Sequence, residues 1–195
     1  MIIKQLILGD YQTNSYVLRK DSSSTAAVII DTGLDSAPLL SFLDENDIIP
    51  AALILTHGHI DHIKGCSDLR SKYPDIEVYI HNEDAQMLTE SEKNLSQMAG
   101  EPFVTSKHDH LLNDSDTIDI VGISLKVFHT PGHTQGGICL YSAKDNILFS
   151  GDTLFADSVG RTDLPGGSMK KLIEGIKTKL FTLPAETLVY PGHGP

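Results

Sequence analysis

Residues 51–62 read AALILTHGHIDH, an apolar run that leads directly into four side chains able to bind metal. The first five of these residues have the length and apolar character of a short buried strand. The turn that follows carries His57, His59, Asp61 and His62. Imidazole nitrogen and carboxylate oxygen are ligands for Zn²⁺ and related metals. This stretch therefore predicts a metal centre at the end of a buried strand.

The spacing of the four side chains indicates more than one ion. Residues two apart project the same way from an extended segment, so His57 and His59 can hold one ion together. Gly58 has no side chain and lets the backbone bend between them. Asp61 and His62 continue into the next turn and must point elsewhere, which suits a second ion nearby.

Three further candidate ligands follow other strand-like runs. Each has Gly or Pro beside it, and a rigid scaffold presents a ligand on a loop in this way. They are His133 in TPGHT, Asp152 in SGDT and His193 in PGHG. With the first four they make seven ligands, too many for one tetrahedral ion and suited to two ions that share a bridge. The remaining histidines are interpreted as ordinary surface or core residues: His81, His108, His110 and His129.

The composition is typical of one globular domain. Of 195 residues, 40% are hydrophobic and 21% are charged, which suffices for a core without covalent crosslinks. The formal net charge of −11 argues against a nucleic-acid partner, which needs a basic surface. No apolar run is long enough to cross a membrane. The only cysteines are Cys66 and Cys139; they are no disulfide framework, so a reduced cytoplasmic setting is expected.

Strand-like runs and amphipathic helices are distributed along the whole chain. Helices are predicted at 35–46, 63–73, 82–99 and 168–181, and a polar loop at 100–116. The strands occur in hairpin-like pairs rather than in regular alternation with helices, which favours two antiparallel or mixed sheets packed together with helices outside. Strands are predicted at 2–8, 14–19, 26–30, 51–55, 117–121, 123–128, 137–141, 146–150 and 187–190.

The motif THGHIDH at 56–62 resembles the signature of the metallo-β-lactamase superfamily, and the resemblance extends from Asp31 in IIDTG to PGHG at the end. It implies an α+β fold, a four-layer αββα sandwich that forms one catalytic domain over 1–195 with metals at one edge. It also implies a division of the ligands between two ions. One ion would be held by His57, His59 and His133, the other by Asp61, His62 and His193, with Asp152 as the bridge.

Within that superfamily the chain is most similar to the short, single-domain members of the glyoxalase II branch. The similar stretches are HTPGHTQGG at 129–137, SGDTLF at 150–155 and GRTDLPGGS at 160–168. β-Lactamases of this fold typically lack the bridging aspartate, so Asp152 argues against antibiotic hydrolysis. Flavodiiron proteins have glutamate in place of His59. The resemblance therefore implies hydrolysis of a hydroxyacylglutathione-type thioester.

Two features depart from the glyoxalase II pattern. Full-length members have a C-terminal helical domain that contacts glutathione, whereas this chain stops two residues after His193, so we expect no such domain. Arg161 and Asp163 stand where those proteins have a substrate-contacting lysine and tyrosine. Arg161 is therefore a candidate substrate-binding residue, for a carboxylate or carbonyl. Its alternative role is an ion pair with Asp163 or another acid.

The predicted function is hydrolysis of a small-molecule thioester, without a nucleic-acid or membrane partner. Two divalent ions would share a hydroxide that attacks the thioester carbonyl. Zn²⁺ is favoured, and Fe or Mn also suits histidine and aspartate ligands. Asp61 would orient the nucleophile as well as bind metal, so it is the candidate catalytic residue.

Two alternatives stay open. Persulfide dioxygenases of this superfamily share the signature and a GRTD stretch, and they use one iron, here on His57, His133 and Asp152. The LPGGS continuation after GRTD favours the hydrolase. The second alternative is a non-catalytic metal-binding module, which the complete set of seven ligands disfavours.

Overall fold

Two mixed sheets form the framework of the protein. The computed structural model describes residues 1–195. The first sheet contains, in spatial order, β1 (Ile2–Leu8), β2 (Thr13–Arg19), β3 (Ala26–Ile30), β4 (Ile49–Ile54), β5 (Glu77–His81) and β6 (His110–Leu112). The second contains β7 (Thr117–Ile120), β8 (Ile123–His129), β9 (Ile138–Ser142), β10 (Ile147–Gly151) and β11 (Leu188–Pro191), which lie side by side in chain order.

Helices cover the outer face of each sheet. The helices are α1 (Ala37–Glu45), α2 (Ile60–Ile63), α3 (Cys66–Lys72), a 3₁₀ helix (Asn82–Leu88) and α4 (Met169–Gly175), which continues as a π-helical turn (Ile176–Leu180). None of them has the length and apolar content that crossing a membrane requires.

Three buried apolar clusters hold these layers together. Leu39 of α1 packs with Ile29 and Leu53 on one face of the first sheet. The other face of that sheet meets the second sheet in a cluster that includes Tyr16 and Phe149. A third cluster packs α4 and the π-helical turn on the far face of the second sheet. The predicted αββα sandwich is confirmed.

Strand direction brings the candidate ligands to one edge. Strands β3, β4 and β5 are parallel, so β4 delivers 57–62 to the edge where β3 also ends. In the second sheet β11 is parallel to β10, and β9 is antiparallel to both β8 and β10. The carboxyl ends of β8, β10 and β11 therefore lie at one edge, and each is followed by a predicted ligand.

The helix predicted at 82–99 is wrong beyond Leu88, because residues 89–100 form turns. Two buried polar side chains explain the difference. Asn94 donates to the carbonyls of Met87 and Phe103, and Ser96 accepts from the Phe103 amide. Such side-chain bonds to the backbone compete with helical hydrogen bonding.

The polar loop predicted at 100–116 also needs correction. His110 lies in β6, a three-residue strand that pairs with β5 in parallel, and β5 was itself not predicted. Both strands are short. A turn at Pro74 and Asp75, closed by the hydrogen bond from the Ile76 amide to the Tyr73 carbonyl, precedes β5, and this Pro-Asp pair is the sequence signal that indicates a new element there.

Candidate metal centre

All seven predicted ligands come together at the edge of the sandwich. They form three overlapping groups, and within each group the ligand atoms lie within 4.8 Å of one another. The groups are His57, His59 and His133; His57, His62 and Asp152; and Asp61, His62 and His193. None of the four remaining histidines belongs to such a group.

The three-histidine half of the centre consists of His57, His59 and His133. The Nδ1 atom of His59 lies 3.1 Å from His57 Nε2 and 2.9 Å from His133 Nε2. All three residues are at most 5% exposed. Three ring nitrogens that converge on one point inside the protein are suited to hold a cation.

The mixed half consists of Asp61, His62 and His193. His193 Nε2 lies 3.3 Å from His62 Nε2 and 3.2 Å from Asp61 Oδ2. His62 is fully buried, whereas the side chain of His193 is 27% exposed. This half therefore opens towards solvent on the side of His193.

Asp152 lies between the two halves. Its Oδ2 is 3.5 Å from Nε2 of His133 and 3.5 Å from Nε2 of His193, and its Oδ1 is 3.5 Å from Nε2 of His62. Oδ1 is buried and has no hydrogen-bond partner. An unsatisfied buried carboxylate oxygen is costly, and a cation in each half would remove that cost. The donor set fits two divalent ions with Asp152 shared.

The two halves differ in charge. Burial lowers the pKa of His57 well below its usual range and that of His59 to about 3, so both rings are neutral at pH 7. Burial also opposes protonation of His62, but neighbouring carboxylates, Asp31 first, outweigh it and raise its pKa to about 9. In the same way, hydrogen bonds to Asp152 and Asp61 raise the pKa of His193 to about 10.

The ring of His62 is oriented by Asp31, which directly follows β3. Asp31 Oδ2 accepts from His62 Nδ1 at 2.8 Å and from the Thr56 hydroxyl at 2.7 Å, and Oδ1 accepts from the Thr56 amide at 2.9 Å. A carboxylate on one ring nitrogen fixes the tautomer and presents the other nitrogen to the metal. The sequence placed Asp31 in the motif IIDTG but did not reveal this contact.

Asp84 is a functional candidate that the sequence did not indicate. It lies in the 3₁₀ helix, is 1% exposed, and its carboxylate accepts from the Gly58 amide, the Thr134 hydroxyl and the Gly136 amide. Burial raises the pKa of Asp84 and these three donors oppose the rise. In the sequence it is one acid in NEDAQML, where an acid is ordinary at the start of a helix.

The loop that carries His193 is held by β2. Tyr16 donates its hydroxyl to the Pro191 carbonyl at 2.6 Å, and the Asn14 amide donates to the carbonyls of Pro191 and Gly194, both at 2.9 Å. His193 Nδ1 lies 2.9 Å from the carbonyl of Tyr11. The position of His193 thus depends on residues about 180 positions earlier in the chain.

A cavity of about 590 Å³ opens above the metal centre. Its volume suits a small-molecule ligand. Its walls are largely apolar, and Arg161 is the one basic side chain at its mouth other than histidine. The apolar lining consists of Tyr11, Ile60, Leu95, Met98, Ala99 and Leu164.

Arg161 forms the ion pair with Asp163 that is the alternative to its substrate-binding role. Its guanidinium pairs with Asp163 through two hydrogen bonds of 2.8 Å, and both side chains are exposed. Its backbone carbonyl accepts from His133 Nδ1 at 2.8 Å, which orients that ligand. The ion pair with Asp163 is thus present in the structure, and contact between Arg161 and a substrate stays a prediction.

A family model described as the metallo-beta-lactamase superfamily matches residues 8–193. The probable metallo-hydrolase YqgX of Bacillus subtilis is 36% identical over 98% of this chain and 90% of its own length. The hydroxyacylglutathione hydrolase GloC of Haemophilus influenzae is 32% identical over 100% of this chain and 91% of its own.

Solved structures show the same similarity. The BLEG-1 B3 metallo-beta-lactamase superimposes with a TM-score of 0.94 at 41% identity, covering 100% of this chain and 92% of that one. TTHA1623 in a di-iron-bound form gives 0.85 at 34% identity, with 98% and 92% covered. ETHE1 from Myxococcus xanthus gives 0.80 at 28% identity, with 100% and 76% covered.

Proposed function

The chain belongs to the metallo-beta-lactamase superfamily, and on that premise we propose that this metal-dependent hydrolase cleaves small thioesters of the hydroxyacylglutathione type. The observation that carries the proposal is the position of Asp152. Its carboxylate lies within 3.5 Å of histidines from both halves and leaves one buried oxygen without a donor. A carboxylate in this position suits a hydrolytic centre with two ions.

Each half would hold one divalent ion. When bound, the two ions supply Lewis acidity and lower the pKa of a water molecule to about 7. His57, His59 and His133 would bind one of them, and Asp61, His62 and His193 the other. We propose zinc as the first metal to test, with iron as the alternative, because one similar structure is described as di-iron-bound.

The residues around the metal centre have separate roles in the proposed thioester cleavage. Asp61, whose carboxylate reaches His193 at the cavity floor, would orient the attacking water. A thiolate leaves readily, so the reaction needs no strong general acid. Apart from the candidate ligands, the ionisable side chains that line the cavity are Tyr11 and Arg161. The apolar side chains of the cavity offer contact to the acyl group, and Arg161 at the mouth can meet a substrate carboxylate or carbonyl.

A cysteine nucleophile has no place in this mechanism. Both cysteines are buried, and burial raises the pKa of Cys66 to about 12 and that of Cys139 to about 11. A thiol that is protonated at neutral pH and closed off from the cavity cannot attack a substrate. The similarity to GloC, a hydroxyacylglutathione hydrolase, supports a thioester as the substrate.

The test combines metal analysis of the purified protein with a substrate screen. We expect two divalent ions per chain and cleavage of hydroxyacylglutathione thioesters, detected by release of free thiol. Thioesters of smaller thiols measure how much the glutathione portion contributes. A chromogenic β-lactam belongs in the same screen, because BLEG-1 is described as a B3 metallo-beta-lactamase. Two bound ions without thiol release from any thioester would contradict the proposal.

Persulfide dioxygenase is the second candidate, favoured by the structural similarity to ETHE1. That reaction needs one iron, which His57, His133 and Asp152 can hold. The iron-loaded protein should then consume oxygen with glutathione persulfide. The complete mixed half, with Asp61, His62 and His193 in contact range, favours the hydrolase instead.

A further inference from the structure

We propose that Asp84 is a positioning residue for the three-histidine half. It holds together the loop that carries His57 and His59 and the loop that carries His133, and so sets the geometry of that half alone. The inference rests on the proposed metal centre and is independent of the substrate. Asp84 does not touch a ligand side chain, so its action passes through the backbone of the ligand loops.

The contacts of Asp84 join two segments that are remote in sequence. Oδ2 accepts from the Gly58 amide at 3.2 Å and from the Thr134 hydroxyl at 2.7 Å, and Oδ1 accepts from the Gly136 amide at 2.7 Å. Gly58 stands between the ligands His57 and His59. Thr134 directly follows His133. One carboxylate therefore ties the loops whose imidazoles approach to 2.9 Å.

The environment of Asp84 requires a carboxylate rather than any small polar group. It is 1% exposed and pairs with no lysine or arginine, so its charge is balanced only by the three donors. Burying an unpaired charge is expensive, which makes this acid a poor choice for stability alone. An asparagine has one acceptor oxygen and would turn an NH₂ group towards a donor on one side.

The close approach of the 3₁₀ helix to both loops also points to a fixed geometry. A Cβ atom at Gly136 would lie 2.6 Å from the Asp84 amide nitrogen, and one at Gly58 would lie 2.4 Å from Cβ of Met87. Glycine at these two positions lets the backbones meet. The carboxylate can then bridge them directly.

The effect should be confined to one half of the centre. The mixed half has its own carboxylate support, because Asp31 binds the ring of His62. No hydrogen bond links Asp84 to Asp61, His62 or His193. A general loss of stability would affect both halves, whereas a positioning role affects only the three-histidine half.

The experiment measures zinc affinity in two parent variants, each of which keeps one half intact. His193→Ala retains the three-histidine half, and His133→Ala retains the mixed half. Dissociation constants come from competition with a chromophoric chelator. Adding Asp84→Asn should weaken zinc binding in the first parent by about 10- to 100-fold, the usual effect of removing a carboxylate that supports ligands. In the second parent the change should stay within about threefold.

Equal weakening in both parents, or none in either, would overturn the proposal. The matched control is Ser96→Ala, which removes another fully buried polar group that bonds only to backbone outside the ligand loops. It should leave both affinities within about twofold. A Ser96→Ala effect as large and as selective as that of Asp84→Asn would also count against a positioning role.

A milder variant covers the case in which Asp84→Asn does not fold. Thr134→Val removes one donor to Asp84 while keeping the shape of the side chain, and should weaken zinc binding by about three- to tenfold in the His193→Ala parent only. No selective change would overturn the inference. Zinc binding is measured without a thioester, so the test is valid even if the protein cleaves no thioester. If neither parent bound zinc, the result would contradict the proposed metal centre itself.

Discussion

The two halves of the metal centre are supported in different ways. In the three-histidine half all ligands are buried, the rings of His57 and His59 are neutral at pH 7, and their loops meet on Asp84. In the mixed half the ligands are tied to carboxylates, and His193 comes from a loop held by β2. The geometry of the three-histidine half therefore depends mainly on packing. The geometry of the mixed half depends on charge and on contacts with a strand that is remote in sequence.

This difference indicates that the ligands of one metal centre can be preorganised in two ways. Neutral buried imidazoles are ready to bind metal, since no proton has to leave. Protonated imidazoles beside carboxylates form a salt-bridged arrangement without metal, and a metal ion must replace the protons. The halves should therefore respond differently to mutation, to pH and to loss of the anchoring strand.

The largest effect should come from removing a ligand of either half. His59→Ala and Asp61→Ala should each lower kcat/KM for thioester cleavage by about a thousandfold or more, because the reaction loses several kcal/mol of charge stabilisation. The measurement is thiol release at matched metal content, with circular dichroism to confirm the fold. Turnover at the wild-type rate from either variant, with full metal, would show that the centre is not the reactive site.

The second-largest effect should come from removing the carboxylate that orients His62. Asp31→Asn weakens the hydrogen bond to His62 Nδ1, so zinc affinity of the mixed half should fall by about 10- to 100-fold. The measurement uses the His133→Ala parent. The His193→Ala parent is the control and should change less, although Asp31 also reaches His57 through the Thr56 hydroxyl. A larger loss of zinc affinity in the His193→Ala parent than in the His133→Ala parent would show that Asp31 supports mainly the three-histidine half, which would contradict its assignment to the mixed half.

The charge difference predicts a difference in proton release. In the metal-free chain the pKa of His62 is about 9 and that of His193 about 10, so both are protonated at pH 7 and must lose their protons to bind metal. The mixed half should release about two protons per ion at pH 7, and its affinity should rise with pH until about 9 to 10. The three-histidine half should release fewer protons, because low pKa values keep His57 and His59 neutral.

Calorimetry in buffers of different ionisation enthalpy measures this release directly. The His133→Ala parent reports the mixed half and the His193→Ala parent reports the three-histidine half. Equal proton release from both parents at pH 7 would contradict the charge difference between the halves.

The sequence indicated the candidate ligands because each is marked locally. Four of them follow one strand within six residues, and His133, Asp152 and His193 each follow a strand beside Gly or Pro. The αββα sandwich was predictable from the distribution of the strands and from the resemblance carried by the same motifs.

The supporting residues were less predictable because their partners are remote. The donors to Asp84 come from residues 58, 134 and 136, which only the folded chain brings together. The turns at 89–100 depend on where the side chains of Asn94 and Ser96 find carbonyls, and apolar spacing contains no such information. By contrast, the partners Arg161 and Asp163 are two residues apart, and their ion pair was among the roles considered.

The smallest effect should come from loosening the anchor of the His193 loop. Asn14→Ala removes two hydrogen bonds to the carbonyls of Pro191 and Gly194, which costs about 1–3 kcal/mol of stability. Zinc affinity of the mixed half should fall by about three- to tenfold, since the loop must be ordered when metal binds. Gln5→Ala is the matched control, because it removes the bond from Gln5 to Asn14 and leaves the loop contacts in place. If Asn14→Ala weakened both halves equally, anchoring by β2 would be a property of the whole edge, and the two halves would not be separately supported.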